Sequence, residues 1–220
     1  MQGRHGYRES TPDHLQLDSG ELWANFDIDA FLADVEDAEI DITRDDLPTY
    51  GLNEGEAIEL GATDGGISFD SNIDRNEIDF DGKAGRTKDM VRVDADGTNP
   101  EMSAELLELT QDNLERAVAG SVSEDIEGVT DFISVTSGEI KTEDYIGNVV
   151  CITTRSDGKP MFFEVRNCLV EAFSIDTDHG DEGAYECTFQ AHFDENECTF
   201  DEYGGRKWTP PFRLVIPKDV

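Results

Sequence analysis

The chain holds four cysteines (Cys151, Cys168, Cys187 and Cys198), four histidines and 51 carboxylates among 220 residues. Cys187 and Cys198 flank His192, and thiolate with imidazole is a donor set that zinc takes. The spacings fit no zinc pattern, and four scattered cysteines are too few for a small disulfide scaffold. Cys151, Cys168 and Cys187 therefore read as small buried residues, and His192 as a structural histidine. Asp94-Ala95-Asp96-Gly97, with Glu105 twelfth from Asp94, has the opening of a calcium loop. Its glycine stands fourth where such a loop needs one sixth, and the next residues read as strand. No nucleophile elbow, phosphate loop or HExxH pattern occurs, and a pair of carboxylates among so many carries no information about acid–base chemistry. The expectation is a protein without catalysis, metal or cofactor.

Charge narrows the field further. Against 51 Asp and Glu stand 17 basic residues, 11 of them Arg and 6 Lys, for a formal charge of −34 and a pI near 4.1. A body this acidic has no basic cluster with which to grip phosphates. It repels itself at low ionic strength, whereas at molar salt the Debye length of roughly 3 Å screens that repulsion. Apolar residues are interleaved with the acids, so the composition points to a folded, salt-adapted protein, in a haloarchaeal setting, rather than to disorder. No apolar run approaches the ~18–20 residues of a membrane span, and Met1 to Thr11 has no signal-peptide core. Neither membrane insertion nor export is expected.

The elements that must position any site are mostly strands. Residues 1–14 read as a mobile arm, followed by a single domain over 15–220. Leu22 to Phe26 suits a strand. Ile28 to Ala33 fits a strand or a short helical turn, and Ala38 to Thr43 a second strand. Ile67, Phe69 and Ile73 share one parity and Ile78 and Phe80 the other, which demands a turn or bulge near Asp74-Arg75-Asn76. Met102, Ala104 and Leu106 alternate as a strand. Thr110 then looks like an N-cap, with Leu109 and Leu114 as a hydrophobic staple and Gly120 as the stop of a short helix. Beyond Val129 the chain reads as strand: Phe132 to Val135, Ile146 to Thr154, a turn at Ser156 to Lys159, and Met161 to Val170. The odd-numbered Phe163, Val165, Leu169, Phe173 and Ile175 share one face. Tyr185, Cys187, Phe189, Ala191 and Phe193 alternate with polar residues, and Phe212, Leu214 and Ile216 close the chain. Strand groups around one helix make a mainly β fold, a β-sandwich or partial barrel with an external helix.

These segments together resemble the tail tube protein of long-tailed, siphovirus-like double-stranded DNA viruses. Leu60-Gly61-Ala62-Thr63-Asp64-Gly65-Gly66-Ile67, then Ile78 to Gly82 and Gly85-Arg86-Thr87-Lys88, are similar to that family's strand–loop start. Leu106 to Leu114 resembles its strand-into-helix junction. Phe162 to Leu169 and Thr188 to Asp194 resemble its closing strands. The similarity covers roughly residues 55–217, leaving 15–55 as an elaboration. The resemblance implies a virion protein, assembled in the host cytoplasm, whose sheet joins those of its neighbours in a six-membered, multi-subunit β-barrel ring. Rings stack into a hollow conduit that double-stranded DNA crosses without specific binding, and other tail proteins cap its ends.

Within that expectation, 81–100 is a long inter-subunit loop. It holds Lys83, Arg86, Lys88 and Arg92, four of the 17 basic residues, as interface candidates for acidic positions on a neighbour. The polar partners of alternating strand residues, Ser68 and Asp70, Glu164 and Arg166, Thr188 and Gln190, are candidates for the bore. An acidic bore offers phosphates nothing to adhere to. The alternative reading is a calcium-stabilised halophilic β-sandwich that serves as a binding or surface module.

Overall fold

A computed structural model describes residues 20–38, 57–72, 75–77, 91–93, 98–108, 110, 121–126, 130–135, 140–176, 184–200 and 206–217. In chain order the elements are β1 (Glu21–Ala24), α1 (Ile28–Ala38), β2 (Ile58–Glu59), β3 (Thr63–Asn72), β4 (Arg75–Glu77), β5 (Val91–Val93), β6 (Asn99–Leu106), β7 (Ser121–Ile126) and β8 (Thr130–Val135). They continue with β9 (Ile146–Thr154), β10 (Pro160–Asp176), β11 (Ala184–Gln190), β12 (Cys198–Phe200), β13 (Arg206–Trp208) and β14 (Phe212–Val215). Eight strands share one sheet in the order β2-β1-β9-β10-β11-β6-β3, with β14 also paired to β10. All its pairings are antiparallel. The sheet does not close into a barrel, since β2 and β3 end it without pairing to each other.

The 17-residue β10 is long enough to serve two half-sheets. Pro160 to Cys168 pairs with β9, and Phe162 to Val165 with β14 on the other side; Leu169 to Asp176 pairs with β11. The halves fold over each other. Leu22, Val149 and Val165 of the first share one core cluster with Met102, Cys187 and Phe189 of the second, and Phe69 on β3 meets Phe163 and Phe212 at ring centroid distances of 6.3 and 5.8 Å. The mainly β, sandwich-type class read from the sequence is the observed one.

The face of β9 and β10 turned away from this core is covered by α1. Phe26, Ile28, Phe31, Val150, Ile152 and Phe162 form a second cluster, in which Phe162 stacks on Phe26 at 6.1 Å and meets Phe31 at 5.5 Å with the rings tilted by 60°. Buried on both faces, β9 reads as a continuous apolar run, Val149-Val150-Cys151-Ile152, rather than an alternation. Ile28, Phe31 and Leu32 lie at helical spacing. Asp27 caps the helix, its carboxylate accepting from Ala30 N–H at 2.9 Å, and Asp29 stands in the first turn, where the helix dipole favours a carboxylate. Of the two readings open for Ile28 to Ala33, the helix is the one that forms. Ala38, expected to open a strand, instead ends α1; 39–43 lie outside the described residues. So do the arm over 1–14 and the helix expected after Thr110.

One sequence reading was locally too simple. Phe163 to Ile175 do not share one face throughout. Asn167 adopts a left-handed φ of 50°, which brings Cys168 into the core beside Val165, and a bulge between Val170 and Ala172 reverses the shift. The two irregularities cancel in the sequence pattern, and Leu169 between them faces out of the core, opposite Gln190. The break expected near Asp74-Arg75-Asn76 falls where β3 gives way to β4, while Ile73, Ile78 and Phe80 lie outside the described residues. β3 ends at Asn72, and Arg75 to Glu77 pair with Val91 to Val93 as a separate two-stranded ladder. The expected 81–100 loop therefore contains β5 and the start of β6.

Candidate functional site

The polar residues of the second half-sheet fall into three rows across its outer face. Asp64, Glu105 and Glu186 are register partners in the first row, Ser68, Ser103 and Thr188 in the second, and Asp70, Glu101 and Gln190 in the third. Ser103 and Thr188 share a hydroxyl–hydroxyl hydrogen bond of 3.0 Å. Gln190 is largely buried, its amide donating to the Pro100 carbonyl at 3.5 Å, whereas Ser68 and Asp70 are exposed. No basic residue lies in these three rows. Carboxylates directly opposite each other on adjacent strands repel, so this face is a place where ionic strength acts on the fold.

The other two bore candidates lie elsewhere. Glu164 and Arg166 are on the α1 side of the first half-sheet, so the six candidates do not share one surface. Glu164 is 3 % exposed and is held from three directions. Arg213 Nε lies 2.9 Å and Arg166 Nε 3.1 Å from its Oε2, and Asn148 Nδ2 donates to its Oε1 at 2.9 Å. Arg213 is the register partner of Glu164 across β14, and Asn148 that of Arg166 across β9. A buried carboxylate persists when its oxygens are occupied in this way. Arg213 also donates through a terminal nitrogen to Asp29 at 2.8 Å, tying α1 to the sheet. Partial burial works against the Arg213 charge, but the Asp29 and Glu164 carboxylates outweigh it and raise its pKa. Asn148 Nδ2 is shared with the Phe26 carbonyl at 2.8 Å, which leaves Asn148 Oδ1 buried with no partner among the described residues.

Beside this cluster opens a cleft of about 330 Å³, walled by Arg166, Arg213, Asn25, Asn167 and Glu197. Asn25, with φ 55°, and Asn167 are the described non-glycine residues with positive φ, and both stand on its wall. Asparagine tolerates this region, and each side chain is put to use. Asn25 Oδ1 accepts from Gly147 N–H at 3.1 Å, and Asn167 Nδ2 donates to the His192 carbonyl at 3.3 Å.

Among the described thiols and imidazoles, Cys151, Cys168 and Cys187 are buried and His192 is held by the backbone. Burial pushes the Cys151 and Cys187 thiols up to about 12 and raises Cys168 as well. His192 is bonded to the Asn167 carbonyl at 3.1 Å and meets the Tyr145 ring edge-on. Among the described residues no group of three or more His, Cys, Asp or Glu is placed to hold a metal ion, and no helix is long and apolar enough to cross a membrane. Asp94 to Gly97, Lys83, Arg86 and Lys88 lie outside the described residues. Arg92 lies on β5 opposite Asn76.

Sequence reasoning missed Arg213 and Asn148 as partners of Glu164, and Asp29 as the second partner of Arg213. The available signal was the antiparallel register of Phe212–Val215 against Phe162–Val165, which sets Arg213 across from Glu164.

No family model matches the chain, nor does any curated protein. Among solved structures, it is similar to a chain in the cryo-EM structure of the anti-feeding prophage baseplate, 6-fold symmetrised, at 11 % identity and a TM-score of 0.34, over 91 % of this chain and 96 % of that one. A likeness at that level carries no argument about function.

Proposed function

We propose that the protein is a structural virion subunit that polymerises as stacked hexameric rings into a viral tail tube, a hollow conduit for genome delivery in a high-salt host. The observation that carries this reading is the outer face of the second half-sheet, with its three rows of carboxylates and hydroxyls free of basic residues. It is bounded by the ten-residue β3, which has no partner on its far side among the described residues. An unpaired edge of that length invites pairing with another chain unless it is covered, and repetition of the same contact around a closed ring leaves no edge behind. Turned inward, Ser68, Asp70 and Thr188 would give passing phosphates no counter-charge. The family resemblance of residues 55–217 supports the same assignment, and the salt-adapted composition supports the setting.

The test is negative-stain microscopy with sedimentation at molar salt. Six-fold rings or hollow filaments are the expected result, without any requirement for calcium. A persistent monomer at high concentration, or a tight stoichiometric calcium response in its melting, would favour the binding-module reading instead.

A further inference from the structure

We propose that the free edge of β3, with the exposed Leu214 and Ile216 beneath it, is a docking surface for the chain's own residues Leu15 to Ser19, which lie outside the described residues. The inference goes beyond the tail-tube reading by naming what occupies this edge before a neighbouring copy takes it. β3 crosses over the first half-sheet, with Ile67 beside Gly20 at the start of β1 and Phe69 against Phe163 and Phe212 on β10 and β14. Its partner β6 leads through β11 to the second part of β10, past the end of the first half-sheet where Cys168 pairs with Ile146. The free edge of β3 therefore faces the opposite end, where Thr153 pairs with Met161. Gly20 and Ile216 stand at the two ends of that row, because Glu21, Ile152, Phe162 and Val215 are register partners in the adjoining one.

Apolar surface runs out from the core toward this end. Phe212, Leu214 and Ile216 alternate onto the face that Phe212 turns to Phe69, and Leu214 and Ile216 are 45 % and 58 % exposed. A ten-residue edge with bare apolar side chains below it is a feature that native sheets cover. The chain itself arrives at the right place. Gly20 has a φ of 91°, which takes the chain off the line of β1, and a Cβ there would stand 3.5 Å from Ile67 Cδ1 and 2.8 Å from Cys151 Sγ. Three strand spacings, roughly 14 Å, separate Gly20 from Ile216, and five extended residues span up to about 17 Å. A chain that follows this row runs along β3 and antiparallel to it. Leu15 and Leu17 alternate with Gln16 and Asp18, so both leucines can face Leu214 and Ile216 together. The tether gives the segment an effective concentration of roughly millimolar, ahead of a strand from another copy in dilute solution.

The experiment compares the full wild-type chain with Leu15→Ser/Leu17→Ser and with Leu214→Ser at molar salt. It reads amide hydrogen exchange below the assembly concentration, thermal melting, and sedimentation as the concentration rises. In wild type the β3 amides that point away from β6 should be protected, and in both variants they should exchange about tenfold faster or more. Leu15→Ser/Leu17→Ser should also assemble at a lower concentration, because the edge is no longer occupied. Leu214→Ser, on the other side of the contact, repeats the exchange test should the paired substitution disturb folding. Equal exchange in wild type and both variants would overturn the inference and leave the tail-tube reading intact. Protection of β3 that appears only as copies associate would overturn it too, by placing a second copy on the edge from the start. The expected exchange difference in a wild-type chain that never assembles would keep this inference and remove the tail tube.

Discussion

The two outer faces of the sandwich solve opposite problems. On the first half-sheet, α1 covers β9 and β10, and the polar groups caught beneath it are matched: Glu164 meets two arginines and an asparagine. On the second, no described helix covers the sheet, and like charges stand side by side in Asp64, Glu105 and Glu186. A buried charge must find its partner within the fold, whereas an open face can leave its charges to water and salt. The contrast separates a face whose charges are matched within the fold from one whose charges no described element covers.

Breaking the covered side should have the largest effect. Phe162→Ala removes a ring that is 1 % exposed between Phe26 and Phe31, and the expected loss is about 3–5 kcal/mol in denaturant titration at high salt. Glu164→Gln leaves two arginines facing a neutral amide. A loss of about 2–3 kcal/mol is expected, changing little between dilute and molar salt because the site is buried. On the open side the sign reverses. Glu105→Gln relieves two cross-strand repulsions and should stabilise by about 0.2–1 kcal/mol in dilute buffer, with the gain vanishing at molar salt.

The smallest effect sharpens the comparison at the β9–β10 turn. There Asp157 accepts from the buried Arg155, and this hydrogen bond lowers the Asp157 pKa to about 2. An unfolded Asp titrates near 3.9. The stabilisation from Asp157 is therefore complete above about pH 4 and lost as pH falls through about 2. An Asp157→Asn variant should differ from wild type in melting at pH 6 and converge with it near pH 2.

Legibility in the sequence followed the range of the interactions. Alternation over Met102, Ala104 and Leu106 or over Tyr185, Cys187 and Phe189 gave those strands, because period two is a local property. The Ile28-Asp29-Ala30-Phe31-Leu32-Ala33 stretch was ambiguous because six residues satisfy both periods; what decides it is the Asp27 cap and the apolar surface of Val150, Ile152 and Phe162 from a distant segment. The face shift at Asn167 was hidden because the bulge after Val170 cancels it. The Glu164 cluster draws on Asp29, Asn148 and Arg213, which only the sheet register brings together. In the strand pattern, Glu164 and Thr188 looked alike as polar alternates. What distinguishes them is the helix above Glu164, with no described helix above Thr188.

The most direct measurement is a cryo-EM reconstruction of the protein assembled at molar salt. The account predicts a six-membered ring in which β3 pairs across the subunit boundary and Ser68, Ser103 and Thr188 face an open bore. A ring with that face turned outward, or particles containing a single self-contained copy with β3 left bare, would contradict it.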